Sequence, residues 1–300
     1  MLQERSANLL NAIFTELNRG FLPYAKLFFE SLQRNYPNHP DVFVYHADLT
    51  PEEIKKLTAY PRVKPVLFSC KNLEFGPPMA SHHPHYADPR ISYARFHIWD
   101  DTFNSYDKVL HLDTDILVMR PLDELFQREE FTIFAETYQG DDAMFYELKN
   151  PELTALLNED GIGPFTCVGN AGVFLAPRNC RSKEDKDLLF YFLKRYKNFI
   201  KWSDQSVLNL WMARKGFKPS EGHTFNFLHP LLQKSSEAKQ VSQSHIFHLN
   251  GVDLAYRLTF MRMANKSYRI PGGWMIYRSF YNAASGSLKF WRSTKKSLAM

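Results

Sequence analysis

The sequence predicts an α/β protein built on an open parallel sheet with helices on its faces. Three observations point there. Short β-branched and aromatic runs alternate with helical patterns through the first 70 residues. A helix start of the capping-box type separates two of those runs. An apolar strand then ends on two aspartates, where open α/β sheets bind ligands.

The elements follow in chain order. Asn11 to Thr15 reads as a first strand. Leu22 to Leu32 reads as a helix, with apolar positions at Leu22, Ala25, Leu27, Phe28, Phe29 and Leu32. Asn35-Tyr36-Pro37-Asn38 breaks it. Val42 to Tyr45 is a second strand. Thr50-Pro51-Glu52-Glu53 opens a helix, with Thr as N-cap, Pro at the first position and Glu three residues on. Val63 to Phe68 is a third strand. Residues 70–90 form a loop rich in Pro and His, read as a lid or acceptor loop. Ile91 to Trp99 reads as a helix, and Val109 to Leu112 as a fourth strand ending at Asp113. Phe131 to Ala135 and Val173 to Leu175 are further strands. Lys186 to Tyr196 and Asp204 to Met212 are helical, and beyond Phe225 the pattern is irregular.

Composition narrows the function. With 44% hydrophobic and 23% charged residues, the chain of 300 residues is an ordinary globular sequence. No apolar run approaches the ~20 residues of a membrane span, and the start lacks a signal-peptide pattern. Three scattered cysteines, Cys70, Cys167 and Cys180, make neither a disulfide framework nor a zinc site. A cytoplasmic setting is expected. The net charge of +5 is uneven: residues after Asp253 carry nine basic and no acidic side chains, so residues 1–253 carry a net −4. The organisation expected is a domain over residues 1–253 and a basic, aromatic C-terminal extension over 254–300. That extension, with Trp274, Tyr277, Phe280 and Trp291, suits peripheral contact with an anionic membrane, or phosphate binding. A nucleic-acid function is disfavoured, because no recognition motif accompanies the basic residues.

The chemistry gathers at Asp113-Thr114-Asp115. Two carboxylates two residues apart on extended backbone form a hard-oxygen site for Mg²⁺ or Mn²⁺. An apolar strand followed by Asp-x-Asp also opens haloacid-dehalogenase-type phosphatases, where the first Asp is the nucleophile. Those proteins carry the motif on their first strand, whereas here three strands precede it.

Several further segments, taken together and in order, resemble the family 8 glycosyltransferases, the glycogenin and bacterial galactosyltransferase group. The segments are Tyr93-Ala94-Arg95-Phe96, Asp107 to Val118, Pro121 to Leu125, Asn170-Ala171-Gly172-Val173, Asp204 to Asn209 and His248-Leu249-Asn250-Gly251. The resemblance covers about residues 11–251. It implies a GT-A (Rossmann-like) α/β fold, with a mixed, mostly parallel sheet flanked by helices, and a retaining hexosyltransferase that uses a nucleotide-sugar, UDP-glucose or UDP-galactose, on a glycan or lipid-linked acceptor. It implies that Asp113, Asp115 and His248 hold Mn²⁺ or Mg²⁺. Arg95 would lie at the donor sugar and diphosphate, with Asn170, Ala171, Gly172 and Gly251 bordering the donor. Asp204 and Gln205 would lie beside the reacting carbon. Thr15 and Glu16, within Thr15-Glu16-Leu17-Asn18-Arg19, stand where the family binds base and ribose. The sequence departs from the family after Gly251: the Lys-Pro-Trp positions hold Leu254, Ala255 and Tyr256. Arg257, or another basic residue of the tail, is the substitute for that lysine. A non-catalytic nucleotide-sugar binding module is the alternative this departure leaves open.

Overall fold

The computed structural model describes residues 10–69, 89–136, 144–145, 150–228, 241, 243–249, 254–267 and 277. Gly251, Asn250, Cys70 and nearly all of the 70–90 loop lie outside them.

Strands β1 (Asn11–Leu17), β2 (Asp41–His46), β3 (Val63–Leu67) and β4 (Lys108–Leu112) are parallel. Helix α1 (Leu22–Asn35) joins β1 to β2, and α2 (Pro51–Thr58) joins β2 to β3. The α2 cap has both bonds of a capping box: Glu53 N donates to Thr50 Oγ1 at 3.3 Å and Thr50 N to Glu53 Oε2 at 2.8 Å. Short β5 (Ile116–Val118) and α3 (Asp123–Phe126) follow β4. Next come β6 (Thr132–Ala135), α4 (Pro151–Glu159), β7 (Gly169–Pro177), α5 (Lys183–Tyr196) and α6 (Ser203–Lys215). β8 (Phe227–Leu228), β9 (Ile246–His248) and α7 (Leu254–Ser267) close the described chain. The main sheet runs β3-β2-β1-β4-β7-β6, with β7 antiparallel to both neighbours. A second sheet runs β5-β9-β8.

The expected mixed, mostly parallel sheet is therefore present. Apolar side chains alternate along it into two cores. Ile13, Val42, Val44, Leu110 and Leu112 pack under α1, while Ala12, Phe14, Phe43, Val109 and Phe174 pack under α5 and α6.

Two parts of the reading change. Residues 89–99 form a 3-10 segment rather than an α-helix. Ile91, Tyr93, Ala94, Phe96, Ile98 and Trp99 are all buried there, because the segment lies between β1 and helices α5 and α6. The tail begins as α7, which packs Phe260, Met261 and Ala264 into the same core as α1 and β5. Tyr277 is also fully buried. Among the described residues, no helix is long and apolar enough to cross a membrane.

Candidate active site

Pairing register assembles the site. β4 runs opposite β7 with Leu112 across from Val173, so the next residue, Asp113, meets Gly172, and Asp113 N donates to Gly172 O at 2.8 Å. After Asp115 the chain enters β5, where Ile116 pairs with His248 of β9, and Leu249 N donates to Asp115 O at 3.1 Å. Two short strands thus deliver a histidine from 133 residues downstream onto the aspartate pair. His248 Nε2 lies 3.2 Å from Asp115 Oδ1 and 3.8 Å from Asp113 Oδ2.

Asp113, Asp115 and His248 offer ligand atoms within 4.8 Å of one another. Gly172 makes this convergence possible. A Cβ there would stand 2.3 Å from His248 Cε1 and 2.8 Å from Asp113 Oδ2. Gly172→Ala is accordingly expected to push the imidazole off the aspartates and weaken Mn²⁺ binding at least about tenfold, since mispositioned ligands cost that much or more. Titration calorimetry of the variant checks this, and unchanged affinity would show that His248 is not held to the site through this contact.

Two carboxylates and one imidazole are the donor set of a hard divalent cation. The residues fit such an ion in number, type and convergence. Glu16, His111 and Asp113 form a second acidic group. In that group Arg95 Nη2 lies 2.5 Å from Glu16 Oε1 and 3.0 Å from Asp113 Oδ1.

Arg95 is the hub. Besides those two contacts, Nη1 lies 2.6 Å from Asp204 Oδ2 and donates to Ala171 O at 3.1 Å. Burial by itself would lower its pKa, but Asp204, Glu16 and Asp113 override this and raise it. The same burial pushes Glu16 up to about 7 despite Arg95. His111 is pushed down to about 3 by burial and by the Arg95 charge. A neutral His111 can donate from Nε2 to Glu16 Oε2, 2.8 Å away. Asp113 is raised, by burial first. Burial also acts upward on Asp115, but Arg257 and His248 hold it below the usual carboxylate range. His248 is raised: Asp115 and Asp113 outweigh the downward push of burial.

The donor-side segment is tied to α6. Asn209 Oδ1 accepts from Gly169 N at 2.7 Å, and its Nδ2 donates to Gly169 O at 2.9 Å. This clamp sets Gln205 against β7, where its Oε1 accepts from Ala171 N at 3.1 Å. Asp204 and Gln205 stand in the first turn of α6, where the helix dipole favours negative charge.

A solvent-open cleft is lined by Glu16, Asn18, Arg95, Asp113, Asp115 and Arg257 among others. Arg257, on α7, reaches across it, with Nη1 2.6 Å from Asp115 Oδ2. Both side-chain polar atoms of Asn18, and Thr15 Oγ1, are buried without a hydrogen-bond partner among the described residues. Such orphaned groups cost about 1–3 kcal/mol each unless a ligand or water satisfies them.

The structure thus brings together Glu16, Arg95, Asp113, Asp115, Asn170, Ala171, Gly172, Asp204, Gln205 and His248, with Thr15 on the strand beneath and Thr114 on the cleft wall. Sequence reasoning missed His111, Glu136 and Asn226. His111 sits inside β4, but a histidine between two leucines carries no sign of function by itself. Asn226 lies in a stretch without periodicity.

This is a Rossmann-like α/β sheet whose acidic ligand site stands at the carboxyl end of β4, the arrangement of a GT-A glycosyltransferase. Residues 12–253 match the profile described as Glycosyl transferase family 8, and the chain belongs to that family. Among solved structures, it is similar to an active-site mutant of LgtC, at 15% identity and a TM-score of 0.60, over 84% of this chain and 95% of that one. It is also similar to the galactosyltransferase LgtC solved with donor and acceptor sugar analogs, at 16% identity and a TM-score of 0.59, over 83% and 94%. The glycosyltransferase GlyE of Streptococcus pneumoniae TIGR4 matches at 18% identity and a TM-score of 0.52, over 93% of this chain and 64% of that one. No curated protein matches the sequence significantly.

Proposed function

We propose that the chain is a metal-dependent, retaining hexosyltransferase. It takes glucose or galactose from a UDP-linked donor and passes it to a glycan or lipid-linked acceptor. The observation that carries this reading is the convergence of Asp113, Asp115 and His248 beneath a cleft whose wall also holds two arginines. The donor and acceptor sugar analogs named for LgtC support the substrate class.

In this reading Asp113, Asp115 and His248 would hold Mn²⁺ or Mg²⁺, which would supply charge neutralisation for the departing diphosphate. Arg257 takes the place of the family's lysine, offering a fixed cation to the diphosphate from α7. Arg95, itself nearly fully buried, adds positive potential fixed in place before the reaction, where such charge is worth most. The amide of Asn18 and the Thr15 hydroxyl face the nucleoside. The Glu16 carboxylate is committed to Arg95 and His111, so its part is to hold Arg95 rather than the base. Gly172 and Asn170 border the donor sugar. Asp204 is tied to Arg95, which weakens it as a nucleophile. Front-face attack, with Gln205 beside the reacting carbon, is therefore the favoured route to retention. The basic residues of the tail beyond α7 would hold the enzyme near an anionic surface carrying a lipid-linked acceptor.

Incubation with Mn²⁺ and a panel of labelled nucleotide-sugars tests this. One UDP-hexose is expected to be hydrolysed or transferred, and EDTA is expected to abolish the reaction. Binding of a donor without turnover of any would favour the non-catalytic module. Turnover unaffected by EDTA would overturn the metal assignment.

A further inference from the structure

A chain of buried amides runs behind His248. Glu136 Oε2 accepts from Asn170 Nδ2 at 2.6 Å. Asn170 Oδ1 accepts from Gly172 N at 3.1 Å and from Asn226 Nδ2 at 3.1 Å. Asn226 Oδ1 then faces His248 Nδ1 at 3.1 Å. Glu136, Asn170, Asn226 and His248 are all buried, and Asn226 completely so.

The polarity of this chain has no freedom. A carboxylate only accepts, so Asn170 must turn its NH₂ to Glu136. Its carbonyl oxygen then faces Gly172 N and Asn226, so Asn226 must present its NH₂ to Asn170. That leaves the Asn226 carbonyl oxygen toward the imidazole, and a carbonyl cannot donate. His248 Nδ1 must therefore carry the proton. Nε2 is left as the ring nitrogen turned to Asp113 and Asp115.

We propose that Asn226, anchored through Asn170 to Glu136, is a positioning residue that fixes the tautomer and orientation of His248 for metal ligation. The inference rests on the reading of Asp113, Asp115 and His248 as a divalent-cation site. Imidazole ligands depend on such a partner for the other ring nitrogen, and its loss costs about 10–100-fold in metal affinity. Asn170 sits in the middle of the chain. One set of hydrogen bonds thus connects the segment bordering the donor sugar with the metal ligand, and both are ordered by the same carboxylate.

Mn²⁺ affinity of the full chain, read by electron paramagnetic resonance, tests the proposal. Wild-type protein is expected to bind, and His248→Ala to lose most affinity. Asn226→Leu, of similar volume but with no acceptor, is expected to lose about 10–100-fold. Asn226→Asp keeps an acceptor toward Nδ1 and is expected to recover part of that loss. Affinity in Asn226→Leu within about threefold of wild type overturns the proposal, as does an equal loss in both Asn226 variants. Long-range proton–nitrogen NMR of Mg²⁺-loaded wild type needs no variant to fold. A proton on His248 Nδ1 is expected, and a proton on Nε2 overturns the assignment. A wild type that binds no Mn²⁺ removes the metal reading and this inference together, and the other arms distinguish that from failure of the Asn226 role alone.

Discussion

Asp115→Asn is expected to reduce Mn²⁺-dependent transfer about a thousandfold while leaving the fold in place. The magnitude follows from what the site does. A divalent cation at a leaving diphosphate is worth several kcal/mol of transition-state stabilisation, and each ~1.4 kcal/mol is tenfold in rate. Asp115 is the better-prepared of the two aspartate ligands. Arg257 and His248 keep it ionised against the pull of burial. Asn preserves its volume but offers a neutral oxygen in place of a carboxylate. The fold should survive because the stranded Arg257 lines the cleft and can turn into it. Asp113→Asn is expected to behave similarly in activity. Steady-state rates across a Mn²⁺ titration, beside circular dichroism of the variant, decide the matter. A folded Asp115→Asn enzyme within tenfold of wild type at saturating Mn²⁺ would remove Asp115 from the metal site, and the same result for Asp113→Asn would remove the pair.

How much of this was legible depended on how local each signal is. The opening β-α-β-α-β was readable because its strands are five to seven residues long and one helix carries its cap in four consecutive residues. Asn150-Pro151-Glu152 is an equally local start for α4, with Asn150 Oδ1 accepting from Glu152 N and Leu153 N, and it passed unread. β5 and β9 span three residues each, too few for alternation to register. Yet their pairing alone brings His248 to Asp115. Only the resemblance to a family with that histidine predicted the meeting. Arg95 was placed near the donor in the same way. Its ties to Glu16 and Asp204 span 79 and 109 residues in sequence and have no periodic signature. The tail was read from charge and aromatic content as a surface-facing extension. α7 buries Phe260 and Met261, which that reading did not foresee, while Arg257, named as the substitute for the family's lysine, lines the cleft. Composition counts side chains, but only packing assigns them a direction.

Arg95→Met is expected to cost stability as well as activity, and to cost more of it at neutral than at acid pH. One guanidinium, with a side chain 7% exposed, serves Glu16, Asp113 and Asp204 together. Removing it leaves three carboxylates facing each other. Breaking a buried charge pair from one side costs about 3–5 kcal/mol, a large part of the roughly 5–15 kcal/mol that holds a domain folded. The sign of the pH dependence follows from Glu16. Its folded pKa is already raised to about 7, above its ordinary value of 4.5. The protonated form is the one the fold prefers, so its stabilising contribution is complete below about 4.5 and is lost as pH rises through about 7. Without Arg95 the opposing charge disappears, and Glu16 and Asp113 must both rise further. The deficit of the variant should therefore be greatest near pH 8 and shrink as pH falls toward 5. Melting temperatures of wild type and Arg95→Met across that range, in EDTA, give the measurement. Curves that run parallel would mean that Arg95 does not govern the charge state of Glu16 and Asp113. Coincident curves would mean that it does not hold the three carboxylates at all. Arg95→Lys refines the test, because an ammonium keeps the charge but lacks the planar fork that spans three partners. It should restore part of the lost stability near pH 8 and little of the activity, since transfer depends on where that positive charge sits relative to the donor.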